Sequence, residues 1–508
     1  MDLKVRVLRY DPLMDDEPRF VEYSVPYQQY MTVLDVLQYI YENYDSTLSF
    51  KWGCRAGQCG SCTVVYNEKP SLACRTKIDP EQDVEISPLP YFPIVKDLVV
   101  NTEKIREKLI RALPFLESMK KIERPYKVKQ EEIESIVDLR KCIECYSCVA
   151  TCPVIDQAWQ DYGSPFVMRE VGRWAFDKRD SLDRIKIAML NGLYNCTTCG
   201  SCKEVCYKNI DIPEKAIEKL RNLAVIEGLA PLPPHKTLIA SIQNYWNPWL
   251  QPRAARAKWA KKMKLKDEGD TLFFAGCSPS LLLKNLPLSS MEILNSLNKD
   301  VAYLGRNERC CGSPLLRLGD LELFDEIGRS NIEEFKKAGA ERIIVTCAGC
   351  YKALKVDYPN FFGDFDFEVK HISEVIADEI REGNVDFKEK YDMKVTYHDP
   401  CHLGRAGGVY DAPREIIKAI PGLELIEMNR KREISACCGS GGGLKTYKPD
   451  LAMSIGGKRV EMAKNTGAEY ILTCCPWCEQ NLDDSAKKAN IDMKTIDLVD
   501  IVVEVLEV

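Results

Sequence analysis

Histidine is scarce in this 508-residue chain, which holds only His235, His371, His398 and His402. Long apolar runs are missing too. No stretch reaches the roughly 18 residues that argue for a membrane helix, and the segment LVDIVVEVLEV is interrupted by Asp500, Glu504 and Glu507. The opening MDLKVRVLRYD has no apolar core of the kind an export signal needs, so the expected compartment is the cytoplasm, where thiols stay reduced. The formal charge of −6 lacks the basic excess that would point to nucleic acid. No flavin or dinucleotide fingerprint is present. GSGGGLKT resembles a phosphate loop, but Leu444 stands where that motif needs glycine before Lys445.

What the chain has in quantity is cysteine, 23 residues in all. In a reducing compartment such a number points to metal or redox centres rather than disulfides. Composition is otherwise that of a globular protein, with 45% hydrophobic and 29% charged residues. The length suits three or four domains.

The first segment alternates like strands in KVRVLRY and RFVEYSV, and TVLDVLQYIYEN has helical period. Next come Cys54, Cys59, Cys62 and Cys74, in the Cys-x4-Cys-x2-Cys…Cys spacing of a plant-type [2Fe–2S] site. Zinc sites more often pair two short knuckles. Gly57 and Gly60 are expected to let backbone N–H groups turn toward sulfur. Two further runs come next, Cys142, Cys145, Cys148 and Cys152, then Cys196, Cys199, Cys202 and Cys206. In bacterial ferredoxins the fourth cysteine of each run serves the other cluster. One [4Fe–4S] centre is therefore expected on Cys142, Cys145, Cys148 and Cys206, and the other on Cys196, Cys199, Cys202 and Cys152.

Residues 1–225 resemble the iron–sulfur subunit of succinate dehydrogenases and fumarate reductases in motif order and in the eleven-residue gap before Cys74. That family commonly lacks the second cysteine of the second run and holds three irons there; Cys199 favours four. The family often places a quinone-binding histidine where this chain has Thr197, and a proline where it has Tyr207. The resemblance implies a β-grasp [2Fe–2S] domain over residues 1–95 and an α-helical ferredoxin domain over 96–228. Residues 229–270 read as a linker, with clustered prolines and then a basic run from Arg253 to Lys266. Such a run is commonly a solvated face; the alternative is that it attracts an anionic substrate or subunit.

From residue 271 strands and helices alternate, which predicts two α/β domains with parallel sheets, 271–392 and 393–508. The halves are a duplication: Cys277, Cys310 and Cys347 recur as Cys401, Cys437 and Cys475 at offsets of 124, 127 and 128. Each half brings five cysteines, Cys277, Cys310, Cys311, Cys347 and Cys350, then Cys401, Cys437, Cys438, Cys475 and Cys478; Cys474 is left over. Each set falls past the carboxyl ends of strands, where open α/β sheets bind ligands. Ordinary cubanes and zinc take four ligands, so five thiolates suggest a noncubane [4Fe–4S] cluster in which one sulfur bridges two irons. A cubane with a spare cysteine and a zinc site are the alternatives. Gly441, Gly442 and Gly443 are expected to let backbone approach the cluster, and His398 and His402 to support its ligands.

HDPCHLGR and CCGSGGG make residues 240–508 resemble the cysteine-rich (CCG) domains of heterodisulfide reductase. Related domains occur in glycolate and glycerol-3-phosphate dehydrogenases. The whole, multidomain α+β and α/β, resembles the B subunits of methanogen thiol:fumarate reductases. That resemblance implies a part in methanogenesis. The thiols of coenzyme M and coenzyme B would be oxidised to a heterodisulfide at the duplicated domains, and electrons relayed to a flavoprotein (FAD) subunit that reduces fumarate to succinate. Because both coenzymes are anionic, Arg405 and Lys445 are the candidate contacts. The alternative is an electron-transfer subunit of a respiratory dehydrogenase that serves a quinone or membrane partner, and a third is a soluble subunit of an electron-bifurcating assembly.

Overall fold

A computed structural model describes residues 1–118, 128–387 and 391–506. The chain forms two compact units. One comprises Met1–Leu193 and Gly200–Leu220; the other comprises Tyr194–Cys199 and Arg221–Val508.

The first unit opens on a five-stranded mixed sheet in the order β2-β1-β5-β3-β4, built from β1 (Asp2–Arg9), β2 (Arg19–Pro26), β3 (Thr63–Tyr66), β4 (Lys69–Leu72) and β5 (Val84–Ser87). β1 runs antiparallel to β2 and parallel to β5. Its alternation puts Leu3, Val5 and Val7 on the core face. The helix Val33–Asn43 covers that face with Val33, Val36, Leu37 and Ile40, and Thr32 and Asp35 close its start in a reciprocal capping box. Arg9, at the end of β1, ties down two later loops. Its guanidinium donates to Asp97 at 3.0 Å, Asp45 at 2.5 Å and Thr47 at 3.0 Å. Asp97 in turn accepts from the backbone N–H of Ser49 at 2.8 Å, which fixes the entry to the first cysteine loop. A short ribbon, β6 (Ile94–Lys96) with β7 (Val99–Val100), ends this part. The rest of the unit is helical, including Gln130–Arg140 and Pro165–Ala175.

The second unit contains two parallel sheets. β8 (Thr271–Phe274), β9 (Arg342–Val345) and β10 (Glu368–His371) form one, in the order β10-β9-β8. β11 (Met393–Tyr397), β12 (Leu423–Leu425), β13 (Tyr470–Thr473) and β14 (Lys494–Asp497) form the other, in the order β12-β11-β13-β14. Central β9 and its neighbour β8 are runs of buried apolar residues, Ile343–Val345 and Leu272–Phe274, as expected for sheets covered on both faces. The halves correspond over three strands, β8, β9 and β10 matching β11, β13 and β14, and the second half adds β12. At the end of β10 the His371 side chain accepts from Ser373 N–H to cap the next helix, and at the end of β14 Asp497 does the same with Val499. Among the described residues no helix is long and apolar enough to cross a membrane.

Candidate iron–sulfur and thiol site

In the first unit, Cys54 and Cys59 are exposed while Cys62 and Cys74 are buried. The backbone N–H groups of Ala56 and Gln58 both point to Cys54 Sγ at 3.3 Å, a geometry that stabilises thiolate. Gly60 has φ +67°, and a Cβ there would lie 2.4 Å from the carbonyl oxygen of Ile143. The cysteine loop and the next cysteine run thus touch backbone to backbone, a closeness only glycine allows. Tyr207, which in sequence shows only as a missing proline, has a structural part of its own. Its ring packs over Gly57, and its hydroxyl accepts from Arg75 Nε at 3.1 Å.

Cys142, Cys145, Cys148 and Cys206 line a single small cavity of about 20 Å³ together with Phe166, Ile210, Ile212 and Arg169. Backbone N–H groups of Glu144 and Ile210 approach Cys142 and Cys206 at 3.5 and 3.4 Å. A four-thiol cradle with inward N–H donors and an apolar wall fits a cubane. Of the other expected set, Cys152 and Cys202 belong to the first unit and Cys196 and Cys199 to the second.

In the second unit all ten CCG cysteines converge. Cys277 reaches Cys310, Cys310 reaches Cys311, Cys311 reaches Cys350 and Cys350 reaches Cys347, each within hydrogen-bonding contact. In the second half the order is Cys401, Cys437, Cys438, Cys478, Cys475, and the Cys438 and Cys478 sulfurs stand 3.3 Å apart. The two series meet where Cys347 contacts Cys475. Both of these cysteines cap helices at the carboxyl ends of strands, Ala348–Lys352 and Pro476–Lys488, so helix N-termini face the meeting point. Adjacent cysteines serve the array by position. Cys310 turns to Cys277 and Cys311 to Cys350, while Cys437 turns to Cys401 and Cys438 to Cys478. Two five-thiol sets fit the donor number of two multi-iron centres better than two four-ligand sites. Cys474 stands apart beside Tyr397, at the position Thr346 holds in the first half.

A cavity of about 110 Å³ opens on this array. Nine of the ten cysteines line it, all but Cys437, and Leu238, Leu318, Trp477, His402 and Arg317 complete much of the wall. Burial, with Lys352 and Arg317 nearby, holds the His402 imidazole well below its ordinary range, hence neutral. Arg317 is buried and paired with Asp357.

Neither Arg405 nor Lys445, the two residues expected to contact coenzyme, lines this cavity. Arg405 donates to the backbone carbonyls of Cys199 at 2.9 Å, Glu433 at 3.1 Å and Ser435 at 2.7 Å. Lys445 pairs with Asp484 at 2.6 Å. The cation on the wall is Arg317, which comes from the first half and carries no motif around it.

The segment Tyr194–Cys199 is stapled to the second half. Arg221 donates to the carbonyls of Cys196 at 2.8 Å, Gly442 at 2.9 Å and Arg317 at 2.7 Å. Thr197 Oγ1 lies 3.7 Å from Cys437 Sγ, and Cys199 also reaches Cys437. The glycine tract is what admits this segment: Gly442 has φ +62°, and a Cβ there would stand 2.4 Å from Cys196 O. Residues 229–270 do more than connect. Leu238 enters the cavity wall, His235 Nε2 lies 3.0 Å from Gly443 O, and the Trp249 ring packs 5.2 Å from Trp477. The basic run is only partly solvated, since Arg256 is buried against Glu308 at 2.5 Å.

Comparison with known proteins fits this geometry. Residues 4–107 match the family described as 2Fe-2S iron-sulfur cluster binding domain, 138–210 the 4Fe-4S dicluster domain, and 271–355 with 395–483 the cysteine-rich domain. The chain is 37% identical over 510 residues, 98% of each chain, to the B subunit of the fumarate reductase (CoM/CoB) of Methanothermobacter marburgensis. It is 35% identical over 388 residues to the D subunit of the dihydromethanophenazine:CoB–CoM heterodisulfide reductase of Methanosarcina mazei, covering 73% of this chain and 95% of that one. A solved hypothetical protein from Helicobacter pylori shares the fold at 14% identity, with a TM-score of 0.66 over 99% of this chain and 94% of that one.

Proposed function

Since the chain belongs to the family of CoM/CoB fumarate reductase B subunits, and is thus an iron–sulfur electron-transfer subunit of an oxidoreductase, we propose that it oxidises coenzyme M and coenzyme B thiols to their mixed disulfide. The electrons would pass to a flavoprotein subunit that reduces fumarate in the cytoplasm. The observation that carries this reading is the meeting of two five-cysteine sets at Cys347 and Cys475 beside one cavity. Two thiols that form one S–S bond lose two protons and two electrons; fumarate takes up two of each to become succinate.

We read residues 1–95 as a β-grasp [2Fe–2S] domain held by Cys54, Cys59, Cys62 and Cys74, and residues 96–228 as the home of two cubane [4Fe–4S] centres. Residues 271–392 and 393–508 would each hold a noncubane [4Fe–4S] centre on five cysteines. When bound, these centres supply one-electron carriers and metal-held sulfur, which stays deprotonated at neutral pH. The protein supplies the rest. The largely apolar walls of Leu238, Leu318 and Trp477 exclude water from the reacting sulfurs. Arg317, the cation on the wall, attracts the anionic end of a coenzyme even though Asp357 offsets part of its charge. Neutral His402 can accept a hydrogen bond from an incoming thiol. The contact of Cys199 and Thr197 with Cys437 makes the second half the electron outlet.

The test uses the purified chain with its flavoprotein partner. Fumarate-dependent disappearance of both thiols, one of each per fumarate, is expected. Electron delivery to a quinone with no dependence on thiols would overturn the reading in favour of the respiratory-dehydrogenase alternative.

A further inference from the structure

His398 is 1% exposed and sits three residues before Cys401, at the end of β11. Arg459 Nε donates to its Nδ1 at 3.1 Å. A guanidinium N–H can only donate, so Nδ1 is the acceptor and the ring proton of a neutral imidazole resides on Nε2. Arg459 is itself fully buried and held by two further bonds, to Arg430 O at 2.7 Å and Ser435 Oγ at 3.2 Å, so the tautomer is fixed by the fold. The Nε2–H donor that results is buried and has no hydrogen-bond partner among the protein's own atoms. What surrounds the ring is sulfur. The side chain contacts Cys438, and a ring nitrogen lies with the Cys438 and Cys478 sulfurs in a group whose atoms are all within 4.8 Å of one another. With Nδ1 accepting from Arg459, ligation of metal at Nε2 would require an imidazolate, so His398 is read as an N–H donor to sulfur.

Among its described residues the first half has no such device. The residue three before Cys277 is Phe274, and the counterpart of Arg459, aligned through Gly328 and Gly456, is Asn331. Asn331 Nδ2 donates to Cys310 O and Tyr358 Oη instead.

We propose that His398, oriented by Arg459, is a positioning residue that donates N–H to the sulfurs of the second centre and sets that centre's reduction potential above the first one's. Hydrogen bonds to cluster sulfurs and nearby positive charge both stabilise the more negative, reduced state. The buried Arg459 charge acts in the same direction. The inference rests on the reading that the second five-cysteine set holds an iron–sulfur centre.

The experiment is an EPR-monitored redox titration of the full chain, taking as the second centre's signal the one lost in Cys478→Ala. In His398→Phe, which makes the second half like the first, the reduced-to-oxidised ratio at a fixed potential is expected to fall about tenfold, or ~59 mV for a one-electron couple. His398→Gln, whose amide N–H can still reach sulfur, should recover most of the shift. If His398→Phe does not retain its iron, Arg459→Met is read instead, and the shift should have the same sign. An unchanged potential in an iron-replete variant overturns the inference while leaving the functional proposal standing. A wild-type chain with no iron in the second half overturns both.

Discussion

The two halves of the duplicated region share their ten thiols and differ in what stands behind them. Behind the first set is an acid: Glu308, two residues before Cys310, accepts from the N–H groups of Ala275 and Gly276 and from the buried Arg256. The corresponding residue before Cys437 is Ser435, and behind it lies Arg459 with His398. The first half follows its cysteine pair with Ser313 and Pro314, which start a helix. The second follows with Ser440 and three glycines, which admit the segment carrying Cys196 and Cys199. Duplication kept the ligands because sulfur geometry depends on them. It released the surroundings, and on the proposed reading those make one half the electron outlet and the other the terminal site.

Removing the junction should break the comparison most completely. Cys475→Ala is expected to abolish thiol-dependent electron delivery while leaving the [2Fe–2S] EPR signal of the first unit intact. Next in size is the buried charge behind the first set. Glu308→Gln leaves Arg256 without its anion and should cost roughly 3–5 kcal/mol in urea unfolding, whereas Ser435→Ala in the second half, which loses the bond from Arg459 and the one to Asp399 O, should cost roughly 1–3 kcal/mol.

These contrasts also mark how much is legible in the sequence. The cysteine spacings, the duplication and the strand-end placement can be read because they are local, fixed by a few residues of backbone. Arg317 cannot be picked out, because its meaning comes from residues distant in sequence: it lines a cavity whose other wall begins at Pro400. Arg405 looks suitable because it sits in the motif that holds His402, yet its Nε and Nη1 donate to three carbonyls and it does not line the cavity. The stretch 229–270 reads as linker because prolines and a basic run say nothing of the cavity that Leu238 enters. The one signal that exposes the Tyr194–Cys199 contact is the asymmetry of CCGSPL against CCGSGGG, since three glycines in a row imply a close neighbour.

Two smaller effects sharpen the comparison. Gly442→Ala combines a left-handed φ with a collision at Cys196 O and should destabilise by roughly 1–3 kcal/mol, with altered spin coupling among the second-unit centres. Arg317→Lys keeps the charge but loses the planar fork, and is expected to raise the KM for the anionic thiol about tenfold, near 1.4 kcal/mol, with kcat little changed. The smallest contrast lies at the paired helix caps. Burial lowers His371 to about 4, so its neutral form favours folding above its unfolded value near 6.5, and that stability is lost as pH falls toward 4. Burial, with Glu479 and Asp500 nearby, raises Asp497, so its contribution is complete at low pH and is lost as pH rises through the folded value. Urea midpoints against pH should therefore lose part of their acid-side slope in His371→Asn and part of their fall on the side of rising pH in Asp497→Asn.

The most direct test is a crystal structure of the iron-loaded chain soaked with both thiols, with iron located by anomalous scattering. It should place four irons on each five-cysteine set, one cysteine sulfur bridging two irons in each, and thiol sulfur in the cavity beside Cys347 and Cys475. Cubanes or single zinc ions with an unattached cysteine in both halves, and no thiol in the cavity, would contradict the account.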